Sequence, residues 1–416
     1  MEPCVTVIGA GMVGISSALW LQMEGCKVVV VDQNEPGTGA SYGNAGCFNG
    51  SSVVPMSMPG MWTNVPRWLL DPLGPLSIRL AYMPIFSPWL WRFLRAGRPD
   101  QVRKQAVALR ALLCSSLSYM KQLSAVANAN ELLRSQGHLY VYRSERSFTA
   151  DSSSWQLRRD AGVHLELLDQ RQLRDFDPTL SPAYQRGILI SENGHTTNPG
   201  ALVKRLAEHF IRRGGIIRRG KVTSFQFDER RLIAVETDHG LIRTDAAVVA
   251  AGAHSNILLK LLGDWVPLET ERGYHVMVAR PEVIPRIPTC DADGKVVATP
   301  MEGGLRLAGT VEFAGLDRAP NWQRAKALLS LGQQMFPELP KNISEKRLTY
   351  WMGHRPSLPD SLPIIDRSSR CRNVVYAFGH GHVGMTGAPL TGRLVADLIL
   401  NREPEIDIKL FARSRF

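Results

Sequence analysis

The segment Gly9-Ala10-Gly11-Met12-Val13-Gly14 constrains this chain more than any other. It follows a short apolar run, Val5 to Ile8. After it come a stretch with helical spacing, Ile15 to Met23, and a second apolar run, Val28 to Val31, so the pattern predicts a β-α-β unit. In a G-x-G-x-x-G turn at that point, the first glycine permits the tight turn and the second lets backbone approach a pyrophosphate. The third lets the helix pack closely. The helix N-terminus then offers unpaired N–H groups and a partial positive charge to the phosphates without any lysine. Asp32 closes the second strand 18 positions after Gly14 (32 minus 14). A carboxylate there accepts hydrogen bonds from the adenosine ribose hydroxyls and disfavours a 2′-phosphate. The competing reading is a chance glycine-rich turn; strand, helix and acid in register favour a dinucleotide site.

The turn alone does not separate NAD from FAD. Its position near the N-terminus favours FAD, as does Ala40-Ser41-Tyr42-Gly43-Asn44-Ala45-Gly46, whose small residues let another backbone pass close to a diphosphate. At 416 residues the chain exceeds the size at which one core keeps growing, so two interleaved domains are expected. Hydrophobic residues at 44% and charged residues at 21% suit a folded enzyme rather than extended disorder. The net charge of +11 fits an anionic substrate or surface, but the basic residues are scattered and no nucleic-acid signature accompanies them, so nucleic acid is not an expected partner. Cys4, Cys26, Cys47, Cys114, Cys290 and Cys371 fall at irregular intervals without a C-x-x-C pair and read as reduced thiols.

No room for a secretion signal precedes the first strand, which leads to an expected cytoplasmic location. No stretch supplies the ~20 consecutive apolar residues of a spanning helix. Trp62, Trp68, Trp89 and Trp91, with Arg67, Arg79, Arg92 and Arg95, suggest two readings: peripheral contact with the inner face of the cytoplasmic membrane near a quinone pool, or short helices packed on the nucleotide domain. The surrounding stretch, Val53 to Leu94, reads as short helices broken by prolines.

Further along, a helical region spans about Val102 to Leu133, and strands are expected at His138 to Tyr142 and Gly187 to Ile190. A Pro-initiated amphipathic helix covers Asn198 to Arg213, followed by strands at Ile216 to Arg218, Val222 to Phe227, Leu232 to Thr237 and Ala246 to Ala250. Glu271 to Phe313 is strand-rich with turns at Asp293 and Gly303, a helix follows at Trp322 to Met335, and the chain closes with a strand, a glycine-rich loop and a helix from Asn373 to about Leu400. The expected FAD-binding part is 1–50, 195–265 and 350–416. The expected substrate part is 51–194 and 266–349, with a Trp-rich helical insertion.

Taken with Trp351-Met352-Gly353-His354-Arg355-Pro356-Ser357-Leu358-Pro359-Asp360 and Phe378-Gly379-His380-Gly381-His382-Val383-Gly384, these segments resemble the D-amino-acid oxidase superfamily of FAD enzymes. The nearest likeness is to bacterial D-amino-acid and D-hydroxyproline dehydrogenases. It spans essentially the whole chain, in the order fingerprint, S-x-x-N-A-G, Gly273-Tyr274, G-x-R-P-x-x-P-D and G-H-G. The resemblance implies an α/β fold in which a glutathione-reductase-like Rossmann FAD domain is interleaved with an α+β substrate domain whose sheet roofs the isoalloxazine.

The same resemblance implies that Gly9, Ala10, Gly11, Met12, Val13, Gly14, Asp32, Gln33, Ser41, Asn44, Ala45, Gly46, Val222, Ala251 and Gly252 contact FAD. Gly381, His382, Val383, Gly384, Met385 and Thr386 are implied as a backbone cradle and helix N-terminus beside the flavin. Arg355 is implied as the clamp for a substrate carboxylate. Tyr274 is placed over the substrate, with a plain core tyrosine as the alternative. His380 and His382 would tune the flavin or hold a polar group, and no metal is expected. His354 stands where an apolar residue is expected, which suggests a polar or ring-bearing substrate such as cis-4-hydroxy-D-proline.

The implied reaction moves a hydride from the α-carbon of a D-amino or D-imino acid, whose nitrogen must be neutral, and passes electrons to a quinone or electron-transfer protein. Two alternatives stand beside it. One is a glycine- or sarcosine-type oxidase that releases hydrogen peroxide; the other is an FAD-containing subunit of a multi-subunit amino-acid dehydrogenase.

Overall fold

The computed structural model describes residues 2–70, 74 and 76–416, without the side chains of residues 64, 67–69 and 80. Strand β1 (Cys4–Ile8), helix α1 (Met12–Met23) and strand β2 (Lys27–Asp32) form the expected β-α-β unit. Four consecutive valines make β2 apolar on both faces, which suits an inner strand of a covered parallel sheet. Among the described residues that sheet has six strands, in the order Ile216–Arg219, β2, β1, Ala246–Val249, Val374–Phe378 and Ile364–Arg367, the last antiparallel.

Alternation sorts its side chains into two cores. Val5, Val7, Val28 and Val30 pack under α1 and the C-terminal helix α2 (Gly384–Ile399), while Ile8, Val29 and Val31 meet Val222, Phe225 and Leu259 on the other face. Helices α1 and α2 cross closely: a Cβ at Gly392 would lie 2.7 Å from the backbone of Ser16.

Among the described residues a second sheet of nine strands supplies the wall opposite the nucleotide unit. Its key strands are β3 (Glu269–Val278), β4 (Gly304–Phe313) and β5 (Leu348–Ser357), with β3 between the other two. It continues through Val296–Met301, Thr289–Asp291, His138–Tyr142, Arg186–Ile190 and Glu166–Asp169, and the short strand Leu76–Ile78 pairs with the end of β4. Helix Trp322–Met335 covers one face, burying Ala325, Leu328 and Met335 against Val276, Leu305 and Leu307. The other face fronts the six-stranded unit. Residues 350–357, expected with the FAD-binding part, run instead as the edge of this second sheet, because β5 pairs with β3 without interruption from Glu269↔Ser357 to Val278↔Leu348.

The Trp-rich segment divides. Trp89 is buried with Phe86, Phe93 and Phe313, whereas Trp62 and Trp91 are 68% and 63% exposed; the Arg67 and Trp68 side chains lie outside the described residues. Pro88 sits inside helix Met83–Ala96 rather than ending it, and Arg92 caps the Trp265 ring at 5.4 Å. No helix among the described residues is long and apolar enough to cross a membrane.

Candidate active site

Two of the fingerprint glycines are dictated by packing. Gly9 has φ +113, and a Cβ on it would lie 2.4 Å from the Ala250 carbonyl oxygen; one on Gly14 would lie 1.8 Å from the Gly9 carbonyl oxygen. Gly11 begins α1 without a side-chain cap of its own. Ser41 supplies one partner from outside, its Oγ accepting from the Met12 N–H at 3.0 Å, and Gly11, Met12 and Val13 of this first turn line the cavity. Asp32 holds the turn: Oδ2 accepts from the Ala10 N–H at 2.7 Å and Oδ1 from the Asn34 N–H at 2.8 Å.

Residues 41–46 fold back over this turn. Asn44 Oδ1 accepts from the Gly46 N–H at 2.8 Å, and Gly46 has φ +79 with no space for a Cβ beside the Thr196 carbonyl. Arg306 of β4, only 5% exposed, donates Nη1 to the carbonyls of Tyr42 at 3.1 Å and Asn44 at 2.5 Å. Burial lowers its pKa to about 10. Sequence reasoning missed Arg306, since nothing local distinguishes it from a surface arginine on an alternating strand.

A single cavity of about 770 Å³ joins the two sheets, a volume in the range of cofactor and ligand sites. Of the residues expected at the cofactor, all except Gly14 and Gly46 line it. Those two act through the backbone approaches just described. Val222, Ala251, Gly252 and Gln33 border it beside Asp32, while Gly381, His382, Val383, Gly384, Met385 and Thr386 bring the α2 N-terminus to it. Thr386 is tied into the wall, donating Oγ1 to the Cys47 carbonyl at 3.1 Å and accepting from the Asn49 N–H at 3.3 Å. A cavity met by the N-terminal ends of α1 and α2, neither capped by its own N-cap side chain, and an acid at the end of β2, fits a dinucleotide.

On the sheet side, the β3–β5 register sets Glu271 beside Arg355, Gly273 beside Gly353 and His275 beside Trp351, all on one face. Arg355 donates Nη1 to Glu271 Oε1 at 2.7 Å and to the Thr310 carbonyl at 3.4 Å. Thr310 adopts a left-handed backbone, φ +57, at an irregularity where Arg272 pairs with Glu312 but Tyr274 with Gly309. The guanidinium lies directly over Gly273, where a Cβ would fall 2.4 Å from Cζ. Trp351 stacks on His275 at 5.2 Å and fills the space a Gly43 side chain would need, while His275 Nδ1 lies 3.0 Å from the Gly43 carbonyl.

Two expectations are corrected here. Tyr274 and His354 border the cavity, but alternation puts their side chains on the face opposite Arg355. The Tyr274 hydroxyl donates to Glu312 Oε2 at 2.6 Å and accepts from the Asn321 N–H at 3.0 Å, so the core reading applies. His354 Nδ1 lies 2.8 Å from Thr270 Oγ1, away from Arg355, and burial next to Arg272 lowers its pKa to about 4. His382 remains at the cavity, where burial pushes its pKa down, with Glu271 opposing and Arg355 reinforcing the shift. His380 is buried, its Nε2 2.9 Å from Thr391 Oγ1, and desolvation lowers it to about 3.

The sequence matches the family described as FAD dependent oxidoreductase (DAO) over residues 4–398. It is 45% identical over 415 residues to a D-amino-acid oxidase of Bradyrhizobium diazoefficiens, covering 99% of this chain and 98% of that protein. It is 28% identical over 410 residues to D-amino acid dehydrogenase 2 of Mesorhizobium japonicum, with 97% and 98% covered. The fold superposes on glycine oxidase from Geobacillus kaustophilus with a TM-score of 0.77 at 20% identity, covering 100% of both chains. The glycine fingerprint, the paired helix starts and the whole-length match agree, and the chain is an FAD-dependent enzyme that belongs to the FAD dependent oxidoreductase (DAO) family.

Proposed function

We propose that this enzyme oxidises the C–N bond of a D-amino or D-imino acid to the imine. The observation that carries the reading is Arg355, held over Gly273 by the buried Glu271 and bordering the same cavity as the fingerprint turn. In this reading FAD, when bound, accepts the hydride. Arg355 binds the substrate carboxylate, a task suited to a planar, permanently charged fork, and Glu271 holds that fork in place. The depressed pKa values of His382 and His380 keep both imidazoles neutral near pH 7, so they add no charge beside the reacting nitrogen. Orientation rather than a strong base supplies much of the rate.

The D-configuration is supported by the names of the Bradyrhizobium and Mesorhizobium relatives. A cyclic D-imino acid such as cis-4-hydroxy-D-proline is the narrower reading from the motif resemblance; His354 does not support it, since its side chain faces away from Arg355. For the acceptor, a quinone or electron-transfer protein is the first reading, and the exposed Trp62, Ile85 and Trp91 support peripheral contact at the inner membrane face. Oxygen is the second, favoured by the oxidase name of the 45% identical relative.

The test is an anaerobic titration of the purified holoenzyme with D- and L-amino acids, glycine, sarcosine and cis-4-hydroxy-D-proline, followed in the visible flavin bands. Bleaching by D-enantiomers is expected, with oxygen and quinone analogues then compared as reoxidants. Bleaching by L-amino acids alone, by glycine or sarcosine alone, or by none of the panel would overturn the assignment.

A further inference from the structure

The sheet wall of the cavity carries a second cation, on helix Ser152–Asp160, far from the clamp in sequence. Arg158 lines the cavity with His138, Tyr140 and Lys295. Its guanidinium lies 4.5 Å from the Trp155 ring centroid and 5.6 Å from that of Tyr140. Trp155 is itself fixed, donating Nε1 to the Tyr142 hydroxyl at 2.8 Å, and that hydroxyl donates to Asp151 Oδ2 at 3.0 Å. The two rings stand at 82° to each other, so their cation–π contacts confine the guanidinium between a face and a near-perpendicular neighbour.

The guanidinium donors are under-used. Arg158 donates Nη1 to the Ser154 carbonyl at 3.2 Å and also bonds the Tyr140 side chain, while its Nε is buried without a partner. Among the described residues no carboxylate lies within ion-pair distance of Arg158, whereas Lys295 has Asp151 at 3.7 Å and Arg355 has Glu271 at 2.7 Å. Among the described residues no aspartate or glutamate of the nine-stranded sheet lines the cavity; Asp32 and Glu35 belong to the nucleotide end. The same wall holds two more unpaired buried polar atoms, Nε2 of His138 and Oδ1 of Asn49. Burial lowers the pKa of His138 to about 3, so its ring is neutral. An apolar substrate side chain would leave all these groups unsatisfied, which a polar one would avoid.

We propose that Arg158, framed by Tyr140 and His138, recognises a second carboxylate on the substrate, so that the enzyme prefers D-amino acids with an acidic side chain. This rests on the reading that Arg355 takes the α-carboxylate. The two cations then set the substrate's charge count at two carboxylates, and the reach between them sets its length.

The test compares D-aspartate, D-glutamate and D-2-aminoadipate with their neutral isosteres D-asparagine, D-glutamine and D-homoglutamine, in the wild type, R158Q and R158K. At least one acidic member should exceed its neutral partner. R158Q should lower kcat/KM for that substrate about 10- to 100-fold, the range of a lost charge-assisted hydrogen bond, and change the neutral partner less than about threefold. R158K should recover part of the loss. Neutral isosteres or cis-4-hydroxy-D-proline preferred throughout, or an equal loss on every substrate, would overturn this inference and leave the D-amino-acid reading intact.

A binding readout separates the two readings further. The holoenzyme melting temperature should rise more with glutarate or adipate than with butyrate or hexanoate, and R158Q should erase that difference. If flavin stays oxidised with every substrate, the reaction assignment fails, and this thermal comparison still decides whether Arg158 binds a second carboxylate.

Discussion

Replacing Gly273 by alanine puts one methyl group where the Arg355 guanidinium lies. A Cβ at that position would be 2.4 Å from Cζ and Nη2 and 2.8 Å from Nε, while ordinary contact begins at 3.4 Å. The guanidinium must therefore move by about 1 Å (3.4 minus 2.4), which stretches the 2.7 Å hydrogen bond to Glu271 Oε1 beyond useful range. Removing a partner from a fully buried ion pair costs roughly 3–5 kcal/mol. Arg355 keeps 27% of its side chain exposed and can relax toward solvent, so a destabilisation of about 1–2 kcal/mol is the expected share.

The functional loss should be larger if Arg355 binds the substrate carboxylate as proposed, because a guanidinium displaced by this distance no longer presents it in line with the reacting centre. A 10- to 100-fold fall in kcat/KM is expected, in the range for such misplacement. The assay is anaerobic stopped-flow reduction of the flavin across substrate concentrations, with thermal melting run alongside. G303A serves as the control, since nothing lies within 4 Å of a Cβ there. If G273A stays within about twofold of G303A in kcat/KM, the guanidinium over Gly273 is not the group that orients the substrate.

Three other perturbations follow from the same geometry. Y274F removes the hydroxyl between Glu312 Oε2 and the Asn321 N–H; it should cost about 1–3 kcal/mol in chemical denaturation with the flavin reduction rate within about threefold of wild type. A rate loss above tenfold at unchanged stability would restore Tyr274 to the active site. D32A removes the acceptor for the Ala10 and Asn34 amides, and fluorescence titration of the apoprotein should show roughly 10- to 100-fold weaker FAD binding; unchanged affinity would contradict the role of Asp32.

The buried imidazoles predict an acid-sensitive fold. Burial depresses His138, His275 and His380 from 6.5 to about 3, with His195 adding to the effect at His138 and Arg306 at His275. Between those values the unfolded chain binds more protons than the folded one, so the stabilisation is complete above about pH 6.5 and is lost as pH falls toward 3. Each imidazole contributes a slope of up to about 1.4 kcal/mol per pH unit in that window. Urea midpoints should fall from pH 7 to pH 5.5; midpoints that hold or rise would place these rings in contact with solvent.

The sequence by itself determined what is local. Three glycines at fixed spacing, a strand before them and an acid after them specify the turn because each constraint acts within about one β-α-β unit. Strand His138–Tyr142 and helix Trp322–Met335 were readable for the same reason, as period 2 and period 3.6 are properties of consecutive residues. Arg355 stood out through its motif, and the structure places its guanidinium over Gly273 at the cavity.

Which way the neighbouring side chains face was not legible. Alternation says that Gly273 and Tyr274 point to opposite faces, but not which face holds the cavity. The tertiary structure decides that, setting the glycine under Arg355 and the tyrosine against Glu312. The partners that make the site are separated too far along the chain for any local period to reveal: Glu271 and Arg355 by 84 positions, Tyr42 and Arg306 by 264. Arg158 has the composition of a solvated helix face, and it becomes a cavity cation only because the sheet brings Tyr140 beneath it.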